Sequence, residues 1–139
     1  MNTAIKTLNI SKSYPGVQAN SNVSVQIQES TIHAIVGENG AGKSTLMKIL
    51  YGMTKPDKGE IEIFDQYAIM SSPKDAINLG IGMVHQHFML AKNLTVLENI
   101  ILGIDRPSFK NLGIKKYKKL IEEVMSLYSL DIDLDMFVE

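Results

Sequence analysis

The sequence contains no cysteine and no tryptophan, and Arg106 is the single arginine among its fourteen basic residues. Without cysteine, the chain has no disulfide, no thiolate nucleophile and no cysteine-ligated metal. The formal net charge of −1 provides no overall basic field of the kind that attracts nucleic acid. These absences exclude a disulfide-stapled domain and a cysteine enzyme, and we expect no nucleic-acid partner.

Long apolar runs are also missing. No run reaches the about 18 residues that a membrane-spanning helix needs. The N-terminal stretch lacks the apolar core of about 7–15 residues that defines a signal peptide. The 139 residues suit one domain, and 45% of them are hydrophobic. We therefore expect a cytoplasmic protein that reaches a membrane only through a partner.

Two segments near the N-terminus alternate apolar and polar residues, as half-buried strands do. They cover residues 3–10 and 22–28, and the turn signal Ser13–Gly16 lies between them. Residues 60–64 alternate in the same way. This pattern predicts an antiparallel β part at the start of the chain.

Two further segments are predicted to be strands. Ile32–Val36 is a continuous apolar run rich in β-branched residues, which is typical of a strand buried on both faces. His33 lies inside it and is interpreted as a core histidine. Gly82–Gln86 is predicted to form another strand.

Helical periodicity appears in four places. Apolar residues recur at helical spacing over residues 46–53, and a proline begins a second pattern within residues 71–80. Residues 95–102 open with a threonine followed three positions later by a glutamate, which is a capping box. Residues 115–128 have the pattern of an amphipathic helix.

The stretch from Gly37 to Thr45 is GENGAGKST, which matches the phosphate-loop pattern G-x-x-x-x-G-K-[ST] in full. It follows a predicted strand and precedes a predicted helix, which is the context that the pattern requires. Glycines allow close backbone approach to phosphate, Lys43 can reach the β- and γ-phosphates, and the Ser44 hydroxyl can ligate Mg²⁺. The predicted phosphate-binding residues are Gly37, Glu38, Asn39, Gly40, Ala41, Gly42, Lys43, Ser44 and Thr45.

Phosphate loops serve GTPases, nucleotide kinases and ATPases, so the loop alone leaves the class open. The tetrapeptide Thr54–Asp57 resembles a guanine-reading motif, but it directly follows the first helix and no D-x-x-G occurs. We interpret it as a turn. A nucleotide kinase would need several arginines to clamp two nucleotides, and this chain has one.

Two longer runs, Val36–Ile61 and Gly82–Ile100, closely resemble the ATP-binding subunit of ABC transporters, in particular importers of nucleosides and simple sugars. The resemblance covers nearly the whole chain. It implies an α/β fold, a P-loop NTPase of ABC type with an N-terminal antiparallel β part, an incomplete RecA-like core and the start of a helical subdomain. The β part and core would occupy about residues 1–105, and the helical subdomain would begin over about 106–139.

The same resemblance implies roles for individual residues. Tyr14 matches the aromatic residue that stacks on adenine, with Val17 beside it, and stacking of this kind tolerates any base. Gln86 matches the Q-loop glutamine, whose amide oxygen would contact Mg²⁺ and the attacking water. Lys43 and Gln86 are then the catalytic residues, and Ser44 and Gln86 attend the metal.

Three other features have competing interpretations. The block Phe88–Glu98 would receive the membrane subunit's coupling helix, or it simply packs within the helical subdomain. His85 and His87 flank Gln86, but two ligands alone make a poor metal site. The lysines within residues 115–119 are interpreted as the solvated face of the last helix.

The chain departs from the family mainly in length. A complete domain carries an LSGGQ-like signature, an apolar strand ending in Asp-Glu and a switch histidine, and none of these occurs in the 139 residues. A smaller departure is the polar stretch Gln18–Ser21, where relatives often have a leucine. The resemblance therefore implies an N-terminal fragment, and we expect this chain alone to bind ATP weakly without hydrolysing it.

The complete protein is expected to be a transport-coupled ATP hydrolase on the cytoplasmic face of the cell membrane. ATP and Mg²⁺ would be its cofactors, and its partners would be membrane subunits and a second ATP-binding domain in a head-to-tail dimer. Two alternatives remain open. A non-transport ABC ATPase would copurify with ribosomes or DNA, whereas a short nucleotide-binding module without catalysis would end naturally at Glu139.

Overall fold

The computed structural model describes residues 2–86, 90–104 and 113–138. These residues form two compact units, Met1–Val84 and His85–Glu139. The units divide about twenty residues before the subdomain boundary predicted near residue 105, and that subdomain assignment stays a prediction. The elements in chain order are β1 (Thr3–Tyr14), β2 (Val17–Gln28), α1 (Lys43–Leu50), β3 (Lys58–Ile63), β4 (Gln66–Tyr67), α2 (Pro73–Asn78), α3 (Val96–Ile104) and α4 (Ile114–Leu127).

The first unit contains an antiparallel sheet with strand order β2-β1-β3-β4. The two predicted N-terminal strands and the turn between them are confirmed, and β1 and β2 pair as a hairpin that is longer than the alternation suggested. Tyr14 and Val17 are directly opposite each other at its end, joined by Pro15 and Gly16. Proline followed by a glycine with φ +76° suits a tight two-residue turn. The hairpin therefore presents Tyr14 and Val17 as a cross-strand pair.

Helix α1 packs its apolar side into the core of this unit. Leu46, Ile49 and Leu50 are buried, as the periodicity predicted, while Met53 lies beyond the helix end and is half exposed. Helix α2 begins with proline in its first turn, which is also as predicted. The buried core residues are Ile10, Leu46, Ile49, Leu50, Ile61, Ile63, Ala68, Met70 and Ala76.

The strands predicted over residues 32–36 and 82–86 are not formed. Ile32–Val36 and Gly82–Gln86 belong to no strand, and the side chains of Ile32 and Val36 are almost fully exposed. His33 is exposed too, so its interpretation as a core histidine is wrong. An apolar run shows only that a segment is suited to burial. A strand also needs a hydrogen-bonded neighbour, and neither segment pairs with one in the described part of the chain.

In the second unit, α3 begins with the predicted capping box. The Thr95 N–H donates to Glu98 Oε2 at 2.8 Å, and the Glu98 N–H donates to Thr95 Oγ1 at 3.2 Å. Helix α4 confirms the amphipathic helix predicted over residues 115–128, although Ile121 is its one buried residue among those described. The core here is formed by Leu97, Ile101, Ile121 and Leu134.

Lys115, Lys116 and Lys119 of α4 are exposed, as predicted, whereas Lys118 is partly buried and forms an ion pair with Asp135 at 2.6 Å. That hydrogen bond raises the pKa of Lys118. No helix in residues 2–86, 90–104 or 113–138 has the length and apolar character to cross a membrane.

Candidate functional site

A cleft of about 440 Å³ lies between the end of the β1–β2 hairpin and the glycine-rich loop before α1. Its volume is within the about 300–1,000 Å³ typical of ligand sites. The fold thus brings the hairpin pair beside a loop more than twenty residues further along the chain. The residues that line the cleft are Tyr14, Val17, Ala19, Asn39, Gly40, Ala41, Gly42, Lys43, Ser44 and Thr45.

Gly42 fixes the position of the loop against β2. Its φ is +86°, and a Cβ at this position would lie 2.0 Å from the Ala19 carbonyl oxygen. No other residue fits without moving the backbone. The Gly42 carbonyl accepts the Leu46 N–H at 2.9 Å, which is the first hydrogen bond of α1, and also accepts Nδ2 of Asn20 at 3.2 Å.

The ammonium group of Lys43 binds two backbone carbonyl groups of the loop. It donates to the Gly37 carbonyl at 2.5 Å and to the Glu38 carbonyl at 2.6 Å. An ammonium group has three protons, so one remains for an anion in the cleft. Gly37 and Glu38 do not line the cleft. Their carbonyl groups hold the Lys43 ammonium group, so their geometry favours a supporting role over direct contact with a ligand.

The N-terminus of α1 is open toward the loop. The helix begins at Lys43, its N-cap is Gly42, and no side chain of the described residues caps it. Its first turn contains no acidic residue. Uncapped N–H groups and the positive end of the helix dipole favour an anion at this position.

The Tyr14 ring is partly exposed, at 42%, and is held by a short chain of contacts from β1. Lys12 Nζ lies 5.8 Å from the ring centroid and 2.7 Å from Asp57 Oδ1. The other oxygen of Asp57 accepts the Ser13 N–H at 2.7 Å. Asp57 therefore anchors both residues that precede Tyr14.

Asp57 and Asn20 were not recognised as site residues from the sequence. In the sequence, Asp57 is the last residue of the Thr54–Asp57 turn, and no local pattern relates it to Lys12 or Ser13 of β1. Asn20 lies in the polar stretch Gln18–Ser21, and that polarity is the available signal in the sequence.

Metal ligation has partial support in the geometry. The Ser44 side chain is exposed and lines the cleft, so its hydroxyl fits a cation held beside phosphate oxygens. Residues 2–86, 90–104 and 113–138 contain no cluster of three or more His, Cys, Asp or Glu side chains that could hold a metal. A cation here would take its other ligands from phosphate and water.

Several predicted functional residues belong to the second unit or fall outside the described residues. Gln86 is exposed and belongs to the unit His85–Glu139. His87, Phe88 and Met89 lie outside the described residues. Leu90 is exposed, which is compatible with either interpretation of its segment.

A second cavity in the first unit, of about 550 Å³, is lined mainly by apolar side chains such as Ile5, Ile27 and Leu50, with His33 at its wall. Lys43 and Ser44 also border this cavity, but most of its other walls are apolar and offer phosphate few hydrogen-bond donors. The cleft beside the loop is therefore the better candidate for an anionic ligand.

The contacts of Asp57 lower its pKa below the ordinary value, first through the hydrogen bond from Lys12 and then through the Ser13 N–H. A carboxyl with a lowered pKa in the folded state stabilises the fold above its unfolded pKa, and that contribution is lost as pH falls through the folded pKa. We expect Lys12→Met to raise the Asp57 pKa, measured by NMR titration of the carboxyl carbon. Lys58→Met, at an exposed lysine next to Asp57, is the control, and an unchanged Asp57 pKa in Lys12→Met would refute the assignment.

Comparison with known proteins adds a family to this geometry. The chain is 46% identical over 132 residues to the guanosine import ATP-binding protein NupO of Bacillus subtilis, covering 95% of this chain and 26% of that protein. It is 44% identical over 136 residues to the nucleoside import ATP-binding protein NupA of Lactococcus lactis, covering 98% and 27%. The chain thus spans about a quarter of the length of these curated relatives.

Among solved structures, the chain is similar to a dimeric ATP-binding cassette in a post-hydrolysis state bound to ADP and Pi. The TM-score is 0.70 at 26% identity, covering 94% of this chain and 60% of that one. The predicted ABC-type P-loop NTPase fold is confirmed by this likeness. The model of the ABC transporter family matches residues 20–138. The chain therefore belongs to the ABC transporter family.

Proposed function

We propose that this chain is the ATP-binding part of an ABC transporter ATPase that powers uptake of a small polar solute, a nucleoside or a sugar. The observation that supports ATP binding most directly is the cleft, which combines an exposed aromatic ring with a phosphate loop. The relatives include import ATP-binding proteins for guanosine, for nucleosides and for glucose, and they support both solute classes in this proposal.

In the proposed complex, the base stacks on Tyr14 beside Val17, and the phosphates lie against the loop from Asn39 to Thr45. The remaining proton of Lys43 donates to a phosphate oxygen. The Ser44 hydroxyl would hold Mg²⁺, which neutralises charge on the β- and γ-phosphates when bound. Charge-assisted bonds of this kind are about twice as strong as neutral ones.

The finer assignments rest on the family resemblance. Gln86 is proposed to contact the metal and the attacking water, and the segment Phe88–Glu98 to meet a membrane subunit. A second ATP-binding domain would complete the site head to tail, as the dimeric cassette bound to ADP and Pi suggests. The protein would then work at the cytoplasmic face of the cell membrane.

Replacement of Lys43 tests the phosphate site. We expect Lys43→Ala to weaken ATP binding about 10- to 150-fold, because a hydrogen bond to a charged group contributes about 1.5–3 kcal/mol. Calorimetry measures the affinity, and thermal unfolding checks the fold. Lys48→Ala, at an exposed lysine of the same helix, should bind ATP as the unmodified chain does, and equal losses in both variants would contradict the site.

ATP hydrolysis by the chain is tested separately from ATP binding. The 139-residue chain is expected to show no Mg²⁺-dependent ATPase activity, because phosphoryl transfer depends on positioning groups that its sequence lacks. A phosphate-release assay measures the rate. An ATPase rate that disappears in Lys43→Ala would refute this expectation.

Removal of the Tyr14 ring tests the base site. We expect Tyr14→Ala to weaken ATP binding about 5- to 150-fold, since base stacking contributes about 1–3 kcal/mol. Binding of tripolyphosphate, which has no base, should not change. Tyr67→Ala is the control because Tyr67 is exposed and lies outside the cleft. If tripolyphosphate binding falls as much as ATP binding, Tyr14 does not contact the base.

A further inference from the structure

Asn20 is a buried amide on the strand that leads away from the base site. Its side chain is 6% exposed, and Nδ2 donates to the Gly42 carbonyl at 3.2 Å. Its Oδ1 is buried and has no hydrogen-bond partner among the described residues. Burying a polar group without full pairing costs free energy, so an apolar residue such as leucine would be expected at a purely structural core position.

The amide of Asn20 binds the backbone carbonyl at the junction between the phosphate loop and α1. Gly42 ends the loop, and its carbonyl also accepts the Leu46 N–H, which forms the first backbone hydrogen bond of the helix. The close approach of Gly42 to the Ala19 carbonyl leaves no room for a side chain between β2 and the loop. Two consecutive residues of β2, Ala19 and Asn20, therefore determine where the loop begins its helix.

The same strand supports the base site. Val17 is three residues before Asn20 on β2 and is directly opposite Tyr14. Asn20 is opposite Lys12 and Gln18 is opposite Ser13, so Ala19 is an extra residue on β2 at this point and locally bends the strand. The same strand thus connects the aromatic surface to the phosphate loop.

We propose that Asn20 is a positioning residue that sets the distance between the base-stacking pair and the phosphate loop. This proposal rests on the proposed function, because it requires a ligand with both a base and phosphates. The loop itself keeps its shape through other bonds, namely those of Lys43 to Gly37 and Glu38. Loss of the Asn20 amide therefore affects ligands that span both sites and spares ligands that occupy the loop alone.

The test compares ATP with tripolyphosphate in Asn20→Leu. Leucine has a similar size and needs no partner, and the Gly42 carbonyl keeps its bond from Leu46. We expect ATP binding to weaken about tenfold, while tripolyphosphate binding changes less than threefold. Gln18→Leu, at an exposed amide on the same strand, should change neither affinity.

A double-mutant cycle with Tyr14→Ala distinguishes positioning from general structural support. If Asn20 aligns the two sites, Tyr14→Ala should weaken ATP binding much less in the Asn20→Leu background than in the unmodified chain. Equal losses in the two backgrounds would overturn the proposal. So would an equal fall in ATP and tripolyphosphate binding, which would confine the effect of Asn20 to the loop.

Asn20→Ala repeats the comparison with a smaller side chain if the leucine variant fails to fold, as judged by circular dichroism and thermal unfolding. A wrong proposed function would give a different binding result. In that case the unmodified chain would bind neither ATP nor tripolyphosphate, and the positioning role would fall with it.

Discussion

The contact between Gly42 and strand β2 is the constraint on which the candidate site depends. The absence of a Cβ lets the loop backbone approach the Ala19 carbonyl, and the amide of Asn20 holds the Gly42 carbonyl from the same strand. Because β2 also places Val17 opposite Tyr14, this contact brings the aromatic surface and the loop to one cleft. A larger residue at position 42 would separate the two halves of the site.

The charged and polar groups that line the cleft are held in place by other parts of the chain. Lys43 is held by two loop carbonyls, and the first turn of α1 has no acidic residue to compete for its N–H groups. Groups held in place in advance lose less conformational entropy on binding. On the other side of the cleft, Asp57 anchors Lys12 and Ser13, so the Tyr14 ring is supported by an ion pair from a distant part of the sequence.

Local signals in the sequence were sufficient for the loop, for α1, for the hairpin and for the capping box at Thr95. Each of these depends on residues close together in the chain, such as glycine where φ is positive or threonine three residues before glutamate. Tyr14 could be related to the loop only through the family resemblance, because nothing local shows that residue 14 lies near residue 42.

The predictions that failed required information from outside the segment. Ile32–Val36 has the composition of a buried strand, yet composition does not provide the neighbouring strand that burial requires, and His33 was misplaced for the same reason. Asn20 and Asp57 were missed because their roles come from contacts 22 and 44 residues away, with Gly42 and Ser13. Side chains that support a site from another strand leave no periodic pattern.

The central claim is that one cleft binds the base and the phosphates of a single nucleotide. The most direct measurement is an NMR titration of the ¹⁵N-labelled chain with ATP and Mg²⁺, following each backbone amide. The account predicts that the amides of Gly40 to Thr45 and those of Tyr14 and Val17 shift together with one dissociation constant. Shifts confined to the loop, or two groups of shifts with different dissociation constants, would contradict it.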